Sequence, residues 1–212
     1  MKYVNVPFSL IGSTDIDEKM CDDLITWFEE DDNFLVTEGN TAATKIDKKI
    51  KDSFDKSIPI SFGKYPIKDY VDAIIDAAKQ YQDMFTPLKA IKIRVSNIFN
   101  IQKYPKRGAY FVWHSERQKD SGKTNARVLA FMTYLNTIEE GGQTEFAMQQ
   151  TAFKPIKGRT LIWPSEWSHL HRGVPAPNEE KYIATGWFYY LPKGEPKLDG
   201  NHPDENIQEI IV

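Results

Sequence analysis

The sequence has little cysteine and no long hydrophobic run. Its single cysteine, Cys21, excludes an internal disulfide and a metal site built from several thiolates. No apolar stretch approaches the roughly 20 residues that a membrane-spanning helix requires. The N-terminus also has no extended apolar segment typical of a secretory signal. These absences favour a cytoplasmic protein without a membrane partner.

An excess of positive charge is also missing. The chain has 27 Lys and Arg residues against 30 Asp and Glu residues, which gives a net charge of −3. Nucleic-acid binding relies on clustered cations, so we do not expect a nucleic-acid partner. In contrast, 41% of the 212 residues are hydrophobic, which is enough for a sizeable core. We therefore expect one domain over residues 1–212.

Apolar periodicity divides this domain into helices followed by strands. Apolar residues that recur every three to four positions predict two helices, at Thr14–Phe28 and at Pro66–Tyr81. Thr14 is the predicted cap of the first helix, and the helical region extends over about 14–82. The charged segment 45–54 between them is interpreted as a short edge strand. Apolar residues alternate with polar ones over 91–101, which predicts a strand, and within about 89–191 further short β-prone runs are separated by turn residues. Helices followed by many short strands predict a mainly β sandwich or barrel with flanking helices, and the Pro- and Gly-rich tail 192–212 is expected to be irregular.

Three residues in the β-rich part form a candidate metal site. His114 and Glu116 are separated by one residue in a predicted strand end, where alternate side chains share a face. His171 follows 57 residues later in another β-prone segment. Two histidines and one carboxylate that leave open positions suit non-haem Fe(II) oxygenases. Taken alone, a His near a carboxylate is more often an ordinary surface pair.

A later cation strengthens this interpretation. Lys181 lies ten residues after His171, across a Pro-containing turn. If that turn joins antiparallel strands, Lys181 returns beside the metal ligand, where a buried ammonium needs an anion. A dicarboxylic acid that chelates the iron at one end would present its far carboxylate there. Strand alternation places Thr185 and Trp187 on the same face. The alternative is an exposed lysine at a strand end.

The order of these residues resembles a known family. The pattern is similar to the 2-oxoglutarate- and Fe(II)-dependent dioxygenases, and most to their prolyl 4-hydroxylase-like branch, over about Tyr104–Tyr190. The matching features are His114-x-Glu116, Arg127, TYLN (133–136), GGQTEF (141–146), PIKG (155–158), His171-Arg-Gly-Val-Pro, Lys181-Tyr and Trp187. The resemblance implies a double-stranded β-helix, or jelly-roll, braced by helices.

The resemblance also assigns roles to individual residues. It implies that His114, Glu116 and His171 are the iron ligands, with His169 as a less favoured alternative because its spacing to Lys181 is twelve residues. Binding of 2-oxoglutarate is assigned to a group in which Lys181 pairs with the distal carboxylate: Lys181, Tyr134, Thr185, Trp187 and either Tyr104 or Tyr110. Glu116 stands where the family usually has Asp.

The implied activity is hydroxylation of a C–H bond, most simply that of a peptidyl proline, with release of succinate and CO2. The cofactors would be Fe(II), 2-oxoglutarate and O2, with ascorbate as an assisting reductant, and the partner would be a proline-containing peptide or protein. Three alternatives stay open: an oxygenase for a small molecule or another residue, a catalytically silent jelly-roll binding protein, and a metal hydrolase. A hydrolase would not need Lys181.

Overall fold

Antiparallel strands precede, separate and follow two long helices in the computed structural model, which describes residues 2–3, 9–39, 46–117 and 122–190, so the expected order of helices before strands is only partly followed. The predicted irregular tail lies outside the described residues. The helices are α1 (Glu18–Glu30), α2 (Ile67–Met84) and the single turn α3 (Gly122–Asn125), with 3-10 turns at Ile60–Phe62, Thr86–Ala90 and Trp167–His169. The strands are β1 (Lys2–Tyr3), β2 (Gly12–Asp15), β3 (Thr37–Glu38), β4 (Phe54–Pro59), β5 (Ile93–Val95), β6 (Ile98–Tyr104), β7 (Arg127–Tyr134), β8 (Thr144–Phe146), β9 (Thr151–Phe153), β10 (Arg159–Pro164), β11 (His171–Gly173) and β12 (Lys181–Tyr190).

The strands form two antiparallel sheets. The larger has the order β1-β2-β10-β7-β12-β6-β4-β3, with β5 paired to the end of β12, and the smaller has the order β11-β8-β9. Non-sequential neighbours such as β10 and β7, or β7 and β12, are the crossovers of a jelly-roll. The predicted mainly β class with flanking helices and a jelly-roll core is confirmed.

Alternate residues of the large sheet face two different cores. On β12, Ala184 and Phe188 pack in one core with the apolar faces of α1 and α2. Ile183 points to the opposite side, into a second core that includes Phe146 of the small sheet. The helices therefore brace one face of the large sheet, and the other face meets the small sheet.

The start of the first helix differs from the prediction. The side chain of Asp17 accepts a hydrogen bond from the Met20 amide at 3.1 Å and caps α1. Thr14, the predicted cap, lies in β2 and pairs with Thr160 of β10. The carboxylate at residue 17 is the better acceptor for the first-turn amides, and the preceding residues are used in the sheet.

Two strand predictions also need correction. The alternation over 91–101 predicted one strand, but β5 and β6 are separate, because Ser96 and Asn97 interrupt the ladder and each strand pairs with a different part of β12. Within the predicted edge strand at 45–54, the described residues form a turn at 48–50 and an isolated bridge at Lys51, and β4 begins only at Phe54. The edge itself is β3, which pairs with β4.

None of the helices in the described ranges combines the length and apolar character needed to cross a membrane.

Candidate metal centre

The two histidines are joined directly by their backbones. The His114 amide donates to the His171 carbonyl at 3.0 Å, and the His171 amide donates to the His114 carbonyl at 2.9 Å. This is an isolated antiparallel bridge, so the predicted strand around His114 is not formed. A hydrogen-bonded antiparallel pair directs both side chains to one side, and the imidazole centroids lie 4.3 Å apart.

Glu116 completes a group of ligand atoms that all lie within 4.8 Å of one another. Its Oε1 is 3.2 Å from His171 Nε2 and 3.9 Å from His114 Nε2. Each imidazole uses its other nitrogen as a donor: His114 Nδ1 to the Val112 carbonyl at 3.0 Å and His171 Nδ1 to the His169 carbonyl at 2.9 Å. A carbonyl oxygen only accepts, so both Nε2 atoms keep a lone pair for a cation.

Electrostatics favour the protonation states that a metal requires. Burial, and then the neighbouring His171, lowers the pKa of His114 to about 3, so its imidazole is neutral at pH 7. Burial alone would raise the pKa of Glu116, but the adjacent His171, together with His114 and Arg127, holds that pKa well below its ordinary range. A neutral imidazole at His114 and an ionised carboxylate at Glu116 are the forms that bind a divalent cation.

The carboxylate of Glu116 is held from behind by two side chains. The indole N–H of Trp187 donates to Oε2 at 2.7 Å. Arg127 Nη1 donates to the Glu116 carbonyl at 2.8 Å and lies 3.6 Å from Oε2. The guanidinium also stacks on the Trp187 ring at 3.6 Å. One carboxylate oxygen is thereby fixed, and the other faces the histidines.

His169, the alternative ligand, is occupied elsewhere. Its ring is buried, with Nε2 2.8 Å from the Ser9 carbonyl and Nδ1 3.0 Å from the Ser168 hydroxyl. Both nitrogens therefore have structural partners, and the residue lies outside the group of His114, Glu116 and His171. The geometry favours His171 over His169.

Lys181 lies in the same cavity as the triad and is 3% exposed. Its ammonium donates to the Gly142 carbonyl at 2.9 Å, and no carboxylate pairs with it among the described residues. Burial lowers the pKa of Lys181 to about 8. The prediction that the strands carrying His171 and Lys181 pair with each other is wrong. Lys181 lies on β12, which pairs with β6 and β7, whereas His171 lies on β11 of the small sheet. The two sheets, facing each other, bring Lys181 and His171 together.

The lining of the cavity fits an organic dianion such as 2-oxoglutarate. The cavity has a volume of about 270 Å³. Trp163 lines it, and the buried indole N–H of this residue has no hydrogen-bond partner among the described residues. An unpaired indole donor and a buried ammonium without a carboxylate are groups that an anion would satisfy. The residues present therefore fit both Fe(II) and a carboxylate-bearing cosubstrate.

The predicted tyrosines occupy three different places. The Tyr104 ring lies 5.0 Å from the Lys181 ammonium, and the Tyr110 ring stacks on His114 with centroids 3.6 Å apart, so both candidates line the cavity. Tyr134 does not line it. Its hydroxyl donates to the Phe153 carbonyl at 3.0 Å and is also hydrogen-bonded to Thr144 Oγ1 at 2.7 Å. The Tyr134 side chain is therefore buried in the core, where it is hydrogen-bonded to Thr144, and Thr144 lines the cavity.

Thr185 and Trp187 line the same cavity as Lys181, as strand alternation requires. The Thr185 hydroxyl is bonded to the Phe131 carbonyl at 2.9 Å. Of the other tryptophans near the site, Trp163 is in the wall, whereas Trp113 and Trp167 are 42% and 69% exposed.

Sequence reasoning missed one side of this cavity. Lys51, Asp55 and Gln102 are buried polar residues that line it. Lys51 lies in the charged segment 45–54 and Asp55 follows it directly, and no pattern in this part of the sequence indicated that either residue is buried. Alternation along β6 does place Gln102 on the face of Tyr104, which was the one available signal.

A jelly-roll that brings together two histidines, a carboxylate and a buried lysine defines the class of non-haem Fe(II) oxygenases. Comparison with known proteins agrees. Residues 99–189 match the model of the 2OG-Fe(II) oxygenase superfamily. The chain is 30% identical over 74 residues to prolyl 4-hydroxylase subunit alpha-3 of Mus musculus, covering 32% of this chain and 14% of that protein. It is 25% identical over 190 residues to probable prolyl 4-hydroxylase 7 of Arabidopsis thaliana, covering 76% of this chain and 59% of that protein.

The fold is shared with a solved prolyl hydroxylase from Trichoplax adhaerens in complex with a peptide fragment of the hypoxia inducible factor oxygen degradation domain. The TM-score is 0.65 at 16% identity, covering 87% of this chain and 85% of that one. The expected resemblance is thus confirmed over residues 99–189, which match the 2OG-Fe(II) oxygenase superfamily model, and the relatives to which the chain is similar are prolyl 4-hydroxylases. This family implies Fe(II), 2-oxoglutarate and O2 as the reactants at the site. The chain spans 14% to 59% of the length of the curated relatives described above.

Proposed function

We propose that this chain hydroxylates a C–H bond of a peptidyl proline, with Fe(II) held by His114, Glu116 and His171, and releases succinate and CO2 from 2-oxoglutarate. The observation that carries the proposal is the convergence of these three ligand atoms within 4.8 Å in the cavity that also contains the buried Lys181. A hydrolase or a plain binding site would not require this lysine. The ligand set and the lysine together support an oxygenase.

The protein residues divide the work of binding and orientation. The iron, when bound, supplies oxidative decarboxylation of 2-oxoglutarate by O2 and transfer of one oxygen atom to the substrate. His114 and His171 present Nε2, and Glu116 presents Oε1, because their remaining polar atoms are held by the backbone and by Trp187. Lys181 provides the charge that binds the distal carboxylate of 2-oxoglutarate.

A proline-containing substrate is supported by the relatives and by the cavity. The similar Trichoplax protein was solved with a peptide fragment, and the curated relatives are named prolyl 4-hydroxylases. In this chain the aromatic rings of Tyr110 and Trp187 flank the ligand group. A proline segment is extended and pre-organised, so it loses little entropy on entering such a site.

The test is a panel of proline-rich peptides incubated with Fe(II), 2-oxoglutarate and ascorbate, which we include to keep the iron reduced. We expect succinate release, and a gain of about 16 Da, one oxygen atom, in at least one peptide. His171→Ala should abolish both signals, whereas His169→Ala, altered two residues away, should retain them. Oxygen transfer only to a small molecule would contradict the prolyl substrate, and no succinate under any condition would contradict the oxygenase itself.

A further inference from the structure

A second buried ammonium lies in the cavity, and the reaction as described above does not use it. Lys51 is 5% exposed and lines the same cavity as the ligand triad. Its backbone forms an isolated antiparallel bridge with Tyr110, whose ring stacks on His114. Burying a lysine is costly unless its charge and its N–H groups are used. The position of Lys51 beside the metal site therefore needs an explanation.

Lys51 is fixed by a network of side chains. Its Nζ is 2.5 Å from Asp55 Oδ2. The same carboxylate accepts from the Ser53 hydroxyl at 2.8 Å and from Gln102 Nε2 at 3.3 Å. Tyr104 donates to Gln102 Oε1 at 2.8 Å, which joins the network to the residue that lies beneath Lys181. The ammonium is therefore held in one place.

The wall behind Lys51 is closed by a glycine. A Cβ atom at Gly39 would lie 2.1 Å from Ser53 Oγ and 3.1 Å from Lys51 Cε. No side chain fits between these groups, so the backbone packs directly on the lysine stem. Among the described residues, Asp55 is the one hydrogen-bond partner of the ammonium, which has three N–H donors. Donor capacity is left for a molecule in the cavity.

Charge distinguishes Lys51 from Lys181. Asp55 neutralises Lys51, whereas no described carboxylate pairs with Lys181. A carboxylate of a ligand is best bound by Lys181, whose charge is not neutralised. The ion pair of Lys51 and Asp55 has no net charge, so its N–H groups are better suited to a neutral acceptor such as a carbonyl oxygen. We propose that Lys51, positioned by Asp55, is a substrate-binding residue that donates hydrogen bonds to an amide carbonyl oxygen of the peptide. This inference rests on the proposed function and adds the group of the substrate that is recognised.

The experiment measures binding to the protein loaded with Co(II) and 2-oxoglutarate by isothermal titration calorimetry. The probe is an oligoproline that is N-acetylated and C-amidated, so that its polar groups are carbonyls and terminal amides. Free L-proline is the second probe, because its acceptor is a carboxylate. The variants are Lys51→Met, Asp55→Asn and the two combined, and the combination leaves no unpaired buried carboxylate. Lys49→Met, at an exposed position nearby, is the matched control.

We expect the Kd of the capped oligoproline to rise about 10- to 100-fold in both Lys51 variants, as for the loss of a hydrogen bond to a charged group. The Kd of 2-oxoglutarate should stay within about twofold of the wild-type value, and Lys49→Met should bind as the wild type does. Asp55→Asn alone should favour L-proline, because it leaves Lys51 with an unneutralised charge.

Three results would overturn the inference. The first is an unchanged oligoproline Kd in the double variant. The second is a wild-type protein that binds L-proline more tightly than the capped oligoproline, or that binds neither of them. The third is a parallel loss of 2-oxoglutarate affinity, which would place Lys51 in the cosubstrate site. Each is separable from failure of the proposed function, which is judged by succinate release from the wild-type protein.

Discussion

Replacing Trp187 with Phe tests how the metal-binding carboxylate is held. The change removes the indole N–H that donates to Glu116 Oε2 at 2.7 Å and keeps an aromatic ring beneath Arg127. A hydrogen bond to a charged group contributes about 1.5–3 kcal/mol. Arg127 Nη1, at 3.6 Å from the same oxygen, retains part of the interaction, so we expect a loss near the lower limit. That corresponds to an increase of about tenfold in the dissociation constant of the metal.

The assay is calorimetric titration of Co(II), which replaces Fe(II) without oxidation in air, into the wild type and the variant. Trp167→Phe is the control, because Trp167 is 69% exposed and lies outside the cavity lining. Circular dichroism should show equal folding of all three proteins. An unchanged Co(II) dissociation constant in Trp187→Phe, or an equal loss in Trp167→Phe, would refute the reasoning that the indole orients Glu116.

Further substitutions address the other parts of the site. Glu116→Gln should weaken metal binding far more than Glu116→Asp in the same titration, because only the carboxylate neutralises the cation; normal metal binding by the Gln variant would identify another ligand. His171→Ala should lose the metal, whereas His169→Ala should keep it and melt at a lower temperature, because the hydrogen bond to the Ser9 carbonyl is lost. Lys181→Ala should weaken 2-oxoglutarate binding by about 2–4 kcal/mol, and an unchanged affinity would remove the anchor. In the wild type, the 2-oxoglutarate Kd should begin to rise above pH 8, since Lys181 with a pKa of about 8 is charged below that pH and neutral above it; a flat profile from pH 7 to 10 would contradict this.

The residues of the candidate metal site could be selected from sequence because they follow simple patterns. Glu116 is separated from His114 by one residue, and Lys181 follows His171 by ten. This spacing made the residues candidates, and the resemblance to the dioxygenase family selected them over ordinary surface pairs. The local structure around His114 was predicted incorrectly, since an isolated bridge replaces the expected strand. The side chains of His114 and His171 still lie close together, because the backbone pairing of the two residues, rather than strand alternation, directs both to one side.

The polar wall of the cavity could not be predicted. Lys51 lies in the charged segment 45–54, Asp55 follows it directly, and charged residues at a sheet edge are usually solvated. Their burial depends on β3 and β4 joining the edge of the large sheet, a long-range pairing that no local pattern encodes. Tyr134, in contrast, was selected as a contact of the cosubstrate because of its place in the motif, but it does not line the cavity. Its hydroxyl is hydrogen-bonded within the core.

The most direct measurement is a titration of 2-oxoglutarate into the wild-type protein under anaerobic conditions, with and without Fe(II). Because the triad and Lys181 lie in one cavity, the cosubstrate gains contacts to both only when the metal is bound. We expect binding that depends on Fe(II) and that disappears in His171→Ala. Equal affinity with and without iron, or no binding in either state, would contradict assignment of this cavity as an Fe(II) and 2-oxoglutarate site.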